Sequence, residues 1–583
     1  MIEWFKTLGI SEGWQIAIFG AGITVIGWFT GFFKWLIGKK IGSSAPQTSV
    51  KQKGKGNIVA TTEGEGSPVA FGDNAHQKVT IDRSQGHKGV SIDNVENLTI
   101  NYVDGLPQSP NLEVRHLFNE AVELSASRKY IKAIEGFKKC LNLESDQKKG
   151  GVLNLQIGNC YYELRKYIKA HEYYSTALRL SRKAKDIEGE AAYQVSIANT
   201  YIFRTAATGS SRGENIQKAV ELYTATIEIY KKDEYPVKYA MTQNNLGLAY
   251  TNLPSSTPDE RAENVRKAIQ CYTAAIEIYK KDEYPVLYAM TQNNLGAAYT
   301  DIPSSTSNER AKNVRKAIQC YTAALEIRKK DEYPVDYAMT QNNLGNAYTD
   351  LPSSTSNERA KNVRKAIQCY TAALEIRKKD EYPVDYAMTQ NNLGLAYTYL
   401  LSSTSDERAE NVRKAIQCFT AALDIRKKDE YPVDYATTQN NLGAAYRNLP
   451  SSTSDERAEN VRKAIQCFTA ALEIRKKDEY PVDYAMTQNN LGNAYIDLPS
   501  STSDERAENV PKAIQCYTAA IEIRKKDEYP QFYCQTAANM GTLLASIGDK
   551  KACYWLKEAY SLREYLEDQG KRLEEVMKQV CKE

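Results

Sequence analysis

The sequence predicts an all-α solenoid, a superhelix of antiparallel helix pairs, preceded by a transmembrane helix and a small β-rich segment. Three observations carry this expectation. Gly247, Gly296, Gly345, Gly394, Gly443 and Gly492 fall 49 residues apart inside near-identical phrases such as Gln390-Asn391-Asn392-Leu393-Gly394. A fixed period of this size marks an array whose units bury their apolar faces on their neighbours. Residues 13–33 run without a charge, and short apolar alternations recur from 57 to 104.

Taken in order, residues 1–40 form the expected anchor. Gly13 to Phe33 is 21 residues long, enough to cross a bilayer as a helix, with Trp14 and Trp35 at its borders. A cleaved signal peptide would show a basic start and a small-residue cleavage site after a shorter apolar run, and those marks are weak here. Lys39, Lys40, Lys51, Lys53 and Lys55 follow the segment, so the positive-inside rule puts the N-terminus outside and the array in the cytoplasm, at a single-pass membrane location. Gly20, Thr24, Gly27 and Gly31 share one helix face, where small residues allow a second helix to approach; this is the expected site of transmembrane association and of a homo-oligomer.

Residues 41–56, rich in Gly, Ser, Gln and Lys, read as a linker. From 57 to 104, runs such as Ile58-Val59-Ala60 and Val79-Thr80-Ile81 are punctuated by turn residues, a strand signal. Two prolines mark a hinge over 105–110. The solenoid then covers 111–566 in about ten units, and a charged helix over 567–583 caps it.

Inside a 49-residue unit, Pro352 stops the first helix and Thr355-x-x-Glu358 is a capping box that opens the second. The second helix is expected to reach Lys379, with Val363, Ala366, Ile367, Tyr370, Ala373 and Leu374 as its apolar stripe. Pro383 opens the next first helix. The run Arg377-Lys378-Lys379 is expected to be a solvated helix end answering the helix dipole.

Leu155-x-x-Gly158-x-x-Tyr161 followed by Ala170, Tyr174 and Ala177 resembles the tetratricopeptide repeat (TPR) family. Leu344-Gly345, Tyr348, Ala366, Tyr370 and Ala373 keep that skeleton, and the Asn-Asn-Leu before the glycine is similar to the kinesin-light-chain type. The resemblance implies first helices lining a concave face that binds a protein or peptide. It places Asn245, Asn294, Asn343, Asn392, Asn441 and Asn490 on that face, where an amide can grip a peptide backbone. The alternative is that these asparagines bond neighbouring helices. Positions that differ between copies, among them Asn346, Leu395 and Arg447, are the expected selectivity row.

Composition excludes several classes. Lys+Arg is 76 against 72 Asp+Glu, too balanced for a general nucleic-acid binder. The four histidines lie outside the long units, so no metal, no cofactor and no acid–base catalysis is expected. Six of the eleven cysteines, from Cys271 to Cys516, occupy one repeat position and read as small core residues in a reducing compartment. A serine-rich loop repeated in every long unit is turn chemistry, and the chain is not expected to be an enzyme. The expected function is a membrane-anchored cytoplasmic scaffold that binds a protein or peptide partner and self-associates. The alternatives are a membrane effector that permeabilises the bilayer when clustered, and a structural polymer.

Overall fold

The computed structural model describes residues 49–52, 58–61, 109–203, 212–400, 402, 404–499, 503–566 and 569–581. Among the described residues the chain is a TPR-like run of 21 α-helices. They are α1 Leu112–Ala126, α2 Tyr130–Leu143, α3 Gln147–Glu163, α4 Tyr167–Ala184, α5 Ile187–Phe203, α6 Arg212–Ile229 and α7 Pro236–Asn252. Then follow α8 Pro258–Ile278, α9 Pro285–Asp301, α10 Ser307–Ile327, α11 Pro334–Asp350, α12 Ser356–Leu374, α13 Pro383–Tyr399 and α14 Ser405–Leu423. The last are α15 Pro432–Asn448, α16 Ser454–Leu472, α17 Pro481–Asp497, α18 Ser503–Ile523, α19 Pro530–Ser546, α20 Ala552–Tyr560 and α21 Gln569–Val580. Odd numbers up to α19 are first helices of a pair and even numbers second helices. The helices fall into two compact units, one ending at Thr340 and the other beginning at Gln341.

Local chemistry sets the boundaries. Asn111 caps α1, its side chain accepting from the backbone N–H of Glu113 at 3.0 Å. Thr257, Thr306, Thr355, Thr404 and Thr453 cap second helices, each hydroxyl accepting from the N–H of the glutamate three residues on at 3.1 Å. The reciprocal bond goes one residue further back than a capping box requires: Ser354 N–H donates to Glu358 at 3.0 Å. Each cap contributes about 1 kcal/mol. Proline occupies the first turn of α7, α9, α13, α15, α17 and α19, where a missing N–H costs nothing. The inserted loop is pinned from the second helix, Asn362 Nδ2 donating to Ser353 Oγ at 3.1 Å.

The core is a repeated layer. Val363, Ala366 and Tyr370 of α12 pack with Leu393 and Ala396 of α13 and with Cys418 of α14. The repeat glycine exists for this layer: a Cβ at Gly345 would lie 2.6 Å from the Tyr370 ring, and at Gly394 2.7 Å from Phe419. The expected second-helix stripe is therefore present.

Several expectations need correction. Among the described residues no helix is long and apolar enough to cross a membrane, so the single-pass membrane location is withdrawn. The stretch 13–33, with Gly20, Thr24, Gly27 and Gly31, lies outside the described residues. Of the β-rich segment, the described residues hold one antiparallel ribbon, β1 Ser49–Gln52 with β2 Ile58–Thr61, in register Ser49 opposite Thr61. β1 falls inside the expected linker. The second helix α12 stops at Leu374 rather than Lys379, and Arg377 just beyond it is buried. The repeat cysteines are free thiols, and Cys553 and Cys581 are bonded, joining α20 to the residue after α21 across a Cα–Cα distance of 5.3 Å.

Candidate functional site

Two surfaces compete for a partner, and the asparagines decide between them. In the first unit Asn294 Nδ2 donates to Asn244 Oδ1 at 3.3 Å, and Asn245 donates to Asn199 at 3.4 Å. In the second unit Asn392 donates to Asn342 at 3.4 Å, Asn441 to Asn391 at 3.2 Å and Asn490 to Asn440 at 3.2 Å. Asn343 and Asn392 are buried. These five amides thus tie their first helices to the preceding first helix within each unit. That is the packing role weighed beside peptide binding, and its bonds are the ones made here.

The varied row is also engaged. Asn346 Oδ1 accepts from Tyr370 Oη at 2.8 Å and from Asn392 at 3.2 Å; Asn493 accepts from Tyr517 at 2.7 Å. Where the second helix carries Phe419 in place of tyrosine, the residue after the glycine is Leu395, packed on the Phe419 cluster. The two asparagines of this row, Asn346 and Asn493, both bond a tyrosine hydroxyl, while leucine and alanine occur opposite either ring. Arg447 Nε pairs with Asp497 of the next first helix at 2.8 Å, and Arg457 joins the same carboxylate at 3.0 Å.

The basic run divides in three. Arg377 is buried, its Nη1 donating to Thr389 at 2.9 Å and its Nη2 lying 3.7 Å from Asp385. Burial lowers the Arg377 pKa and raises that of Asp385, with Arg377 pulling the carboxylate back down. Lys378 donates to the Leu374 carbonyl at 3.4 Å, the expected helix-end role. Lys379 bridges to Asp424 of the next second helix at 2.8 Å, an exposed pair.

The other surface lies between consecutive second helices. A groove of about 440 Å³ opens between α8 and α10, with α9 as its floor. Thr273 and Ile276 come from α8, Leu295 and Tyr299 from α9, and Lys316, Gln319 and Cys320 from α10. The i, i+3, i+4 spacing of a helix puts Gln292, Leu295 and Tyr299 on one face, which is why a first helix presents all three to the groove. Lys316 Nζ sits 4.9 Å from the Tyr299 ring centroid. The same pair recurs as Tyr250–Lys267 at 5.8 Å, Tyr348–Lys365 at 4.9 Å, Tyr397–Lys414 at 5.9 Å, Tyr446–Lys463 at 5.8 Å and Tyr495–Lys512 at 5.8 Å. Burial pushes the Cys320 thiol up to about 12, nearby Lys316 acting weakly the other way, so the groove cysteine is an apolar wall and not a nucleophile. Reading along the first helix alone missed this surface. The 49-residue recurrence of the tyrosine and the lysine was its signal.

Comparison with known proteins adds limited breadth. The model of the WhiA LAGLIDADG-like domain matches residues 499–565, well under half of the chain and, in this structure, the stretch from α18 to the turn after α20. No curated protein matches. Among solved structures, apo RapI is 17% identical with a TM-score of 0.47, covering 71% of this chain and 98% of its own. The C-terminal part of a TPR repeat-containing protein from Cytophaga hutchinsonii is 17% identical with a TM-score of 0.33, covering 54% of this chain and 98% of its own. The human IFIT1 dimer with m7Gppp-AAAA is 15% identical with a TM-score of 0.38, covering 83% and 92%. These likenesses are too low to bear on ligands; the TPR-like pairing stands on this chain's own helices.

Proposed function

We propose that this chain is a non-enzymatic protein-interaction scaffold that holds an extended peptide segment of a partner in the grooves between second helices. The observation that carries the reading is the recurrence of the groove's tyrosine–lysine pair, with a glutamine seven residues before the tyrosine, in every long unit. A repeated groove suits an extended ligand, since each unit offers the same contacts one step further along. The tyrosines supply rigid contact area with a polar tip, and the glutamine and threonine supply backbone partners. The rival surface is that of the first helices, where amides are spent on each other but Leu395 and the exposed Tyr399 are neighbours one turn apart.

The test is panning a random peptide-display library against the full chain. Enriched peptides should bind in solution, and Thr273→Arg with Gln292→Arg, which fill one groove, should weaken them. Tyr399→Ala should leave them unchanged. No enrichment, or sensitivity to Tyr399→Ala alone, contradicts the reading.

A further inference from the structure

The copies are nearly identical, so a departure shared by two of them carries information. At the position four residues before the groove lysine, α8, α14, α16 and α18 carry Glu263, Glu410, Glu459 and Glu508. Each pairs with its lysine, at 3.7, 3.5, 2.7 and 3.8 Å. In α10 and α12 that position is Lys312 and Lys361. Lys316 and Lys365 then make no ion pair among the described residues, and they lie closer to their tyrosine rings, 4.9 Å against 5.8 to 5.9 Å in the other four. The reason is mechanical: a glutamate one turn back draws the ammonium along the helix, and without it the ammonium settles over the ring.

The charge balance of the helices changes with it. Second helix α10 has four basic residues and two acidic, and α12 four and one, whereas α14 and α16 have three of each and α8 four acidic and three basic. Lys312 and Arg315 are exposed, and Lys316 is half-buried at the rim of the groove that Ile276 and Leu295 line. Around α12, Lys361, Arg364 and Lys365 repeat the arrangement beside Tyr348.

We propose that these two positions, one in each compact unit, are acid-reading sites: each takes a segment of a partner protein in which carboxylates alternate with aliphatic side chains. The carboxylates meet Lys312, Arg315 and Lys316, or Lys361, Arg364 and Lys365, and at α10 the aliphatic groups enter the groove. The proposal rests on the scaffold reading above and names the partner's chemistry. A nucleic acid fits less well, because the ring that would stack a base is already covered by the lysine.

Fluorescence anisotropy on the full chain tests it with three probes: a fluorescein-labelled peptide of alternating glutamate and leucine, the same peptide with glutamine for glutamate, and an oligouridylate of equal length. The glutamate peptide should bind, and the glutamine peptide about tenfold more weakly. Lys312→Glu with Lys361→Glu, which installs the residue four other units already carry and so preserves the fold, should lower glutamate-peptide affinity about tenfold. Glu410→Lys, which recreates the arrangement in α14, should raise it. Equal binding of the two peptides, or indifference to the charge reversals, overturns acid reading while the scaffold survives. Oligouridylate binding in place of the peptide, with the same sensitivity, overturns it in favour of nucleic acid. If the panning in the preceding section also enriches nothing, the scaffold reading falls as well.

Discussion

Glycine at the repeat position is dictated by a ring and not by backbone freedom: Gly345 lies in a helix, and a Cβ there meets Tyr370 at 2.6 Å. Gly345→Ala gains helix propensity but overpacks the layer, and overpacking costs about 1–3 kcal/mol. Urea denaturation should show a net loss of stability, and the companion Tyr370→Leu should relieve part of it. The cysteines in that layer titrate late for the same reason. Burial pushes the Cys369 and Cys418 thiols from 9.0 to about 12. A thiol whose folded pKa is raised contributes stability that is whole below its unfolded pKa and drains away as pH rises to the folded one. The array should therefore hold its stability to about pH 9 and lose it progressively toward about pH 12, and at pH 8 iodoacetamide should label these cysteines only after unfolding, as mass spectrometry would read. The residue scale is also where sequence reading reached least far. Arg377 looks like a solvated charge because its partners, Thr389 and Asp385, belong to the next helix. Asn392 presents an amide whose acceptors lie in α11, the preceding first helix.

At the scale of the element, boundaries were legible wherever one local rule acted. Pro383 in the first turn and Thr355 as a cap fall where propensity puts them, and Asn111 opens the array as the start at 111 required. The end of the second helix was less legible, since helix formers continue beyond Leu374 while Arg377 turns to partners on α13. One helix departs from its copies: α18 carries Pro511 in its interior, where the other long units have arginine. An interior proline removes a backbone hydrogen bond and crowds the preceding turn, at about 3 kcal/mol. Pro511→Arg should raise the thermal midpoint, measured by circular dichroism with the full chain. An unchanged midpoint would mean that α18 already frays before that residue.

For the whole molecule, nearest-neighbour bonding is the organising fact. Within each unit, first helices are linked by asparagine pairs, and the turn after one second helix is linked to the next second helix by exposed bridges such as Lys281–Glu326 and Lys477–Glu522, each bridge worth about 0.2–1 kcal/mol. In an array built this way, stability adds unit by unit. Excising the 49 residues from Asn346 to Gly394 should leave a folded, cooperative protein with an unchanged fraction of helix, and a collapse to an unfolded chain would contradict that additivity. The periodic fold was legible because one pattern was repeated many times. The groove was not, because it is formed by three helices from two pairs and no single pair contains it. The claim that these grooves are the working surface is tested most directly by hydrogen–deuterium exchange of the full chain with and without a bound peptide from the panned library. Protection is predicted where the groove lining lies, around 273–276, 292–299 and 316–323. Protection confined to the first-helix face around Leu395 and Tyr399 would contradict it.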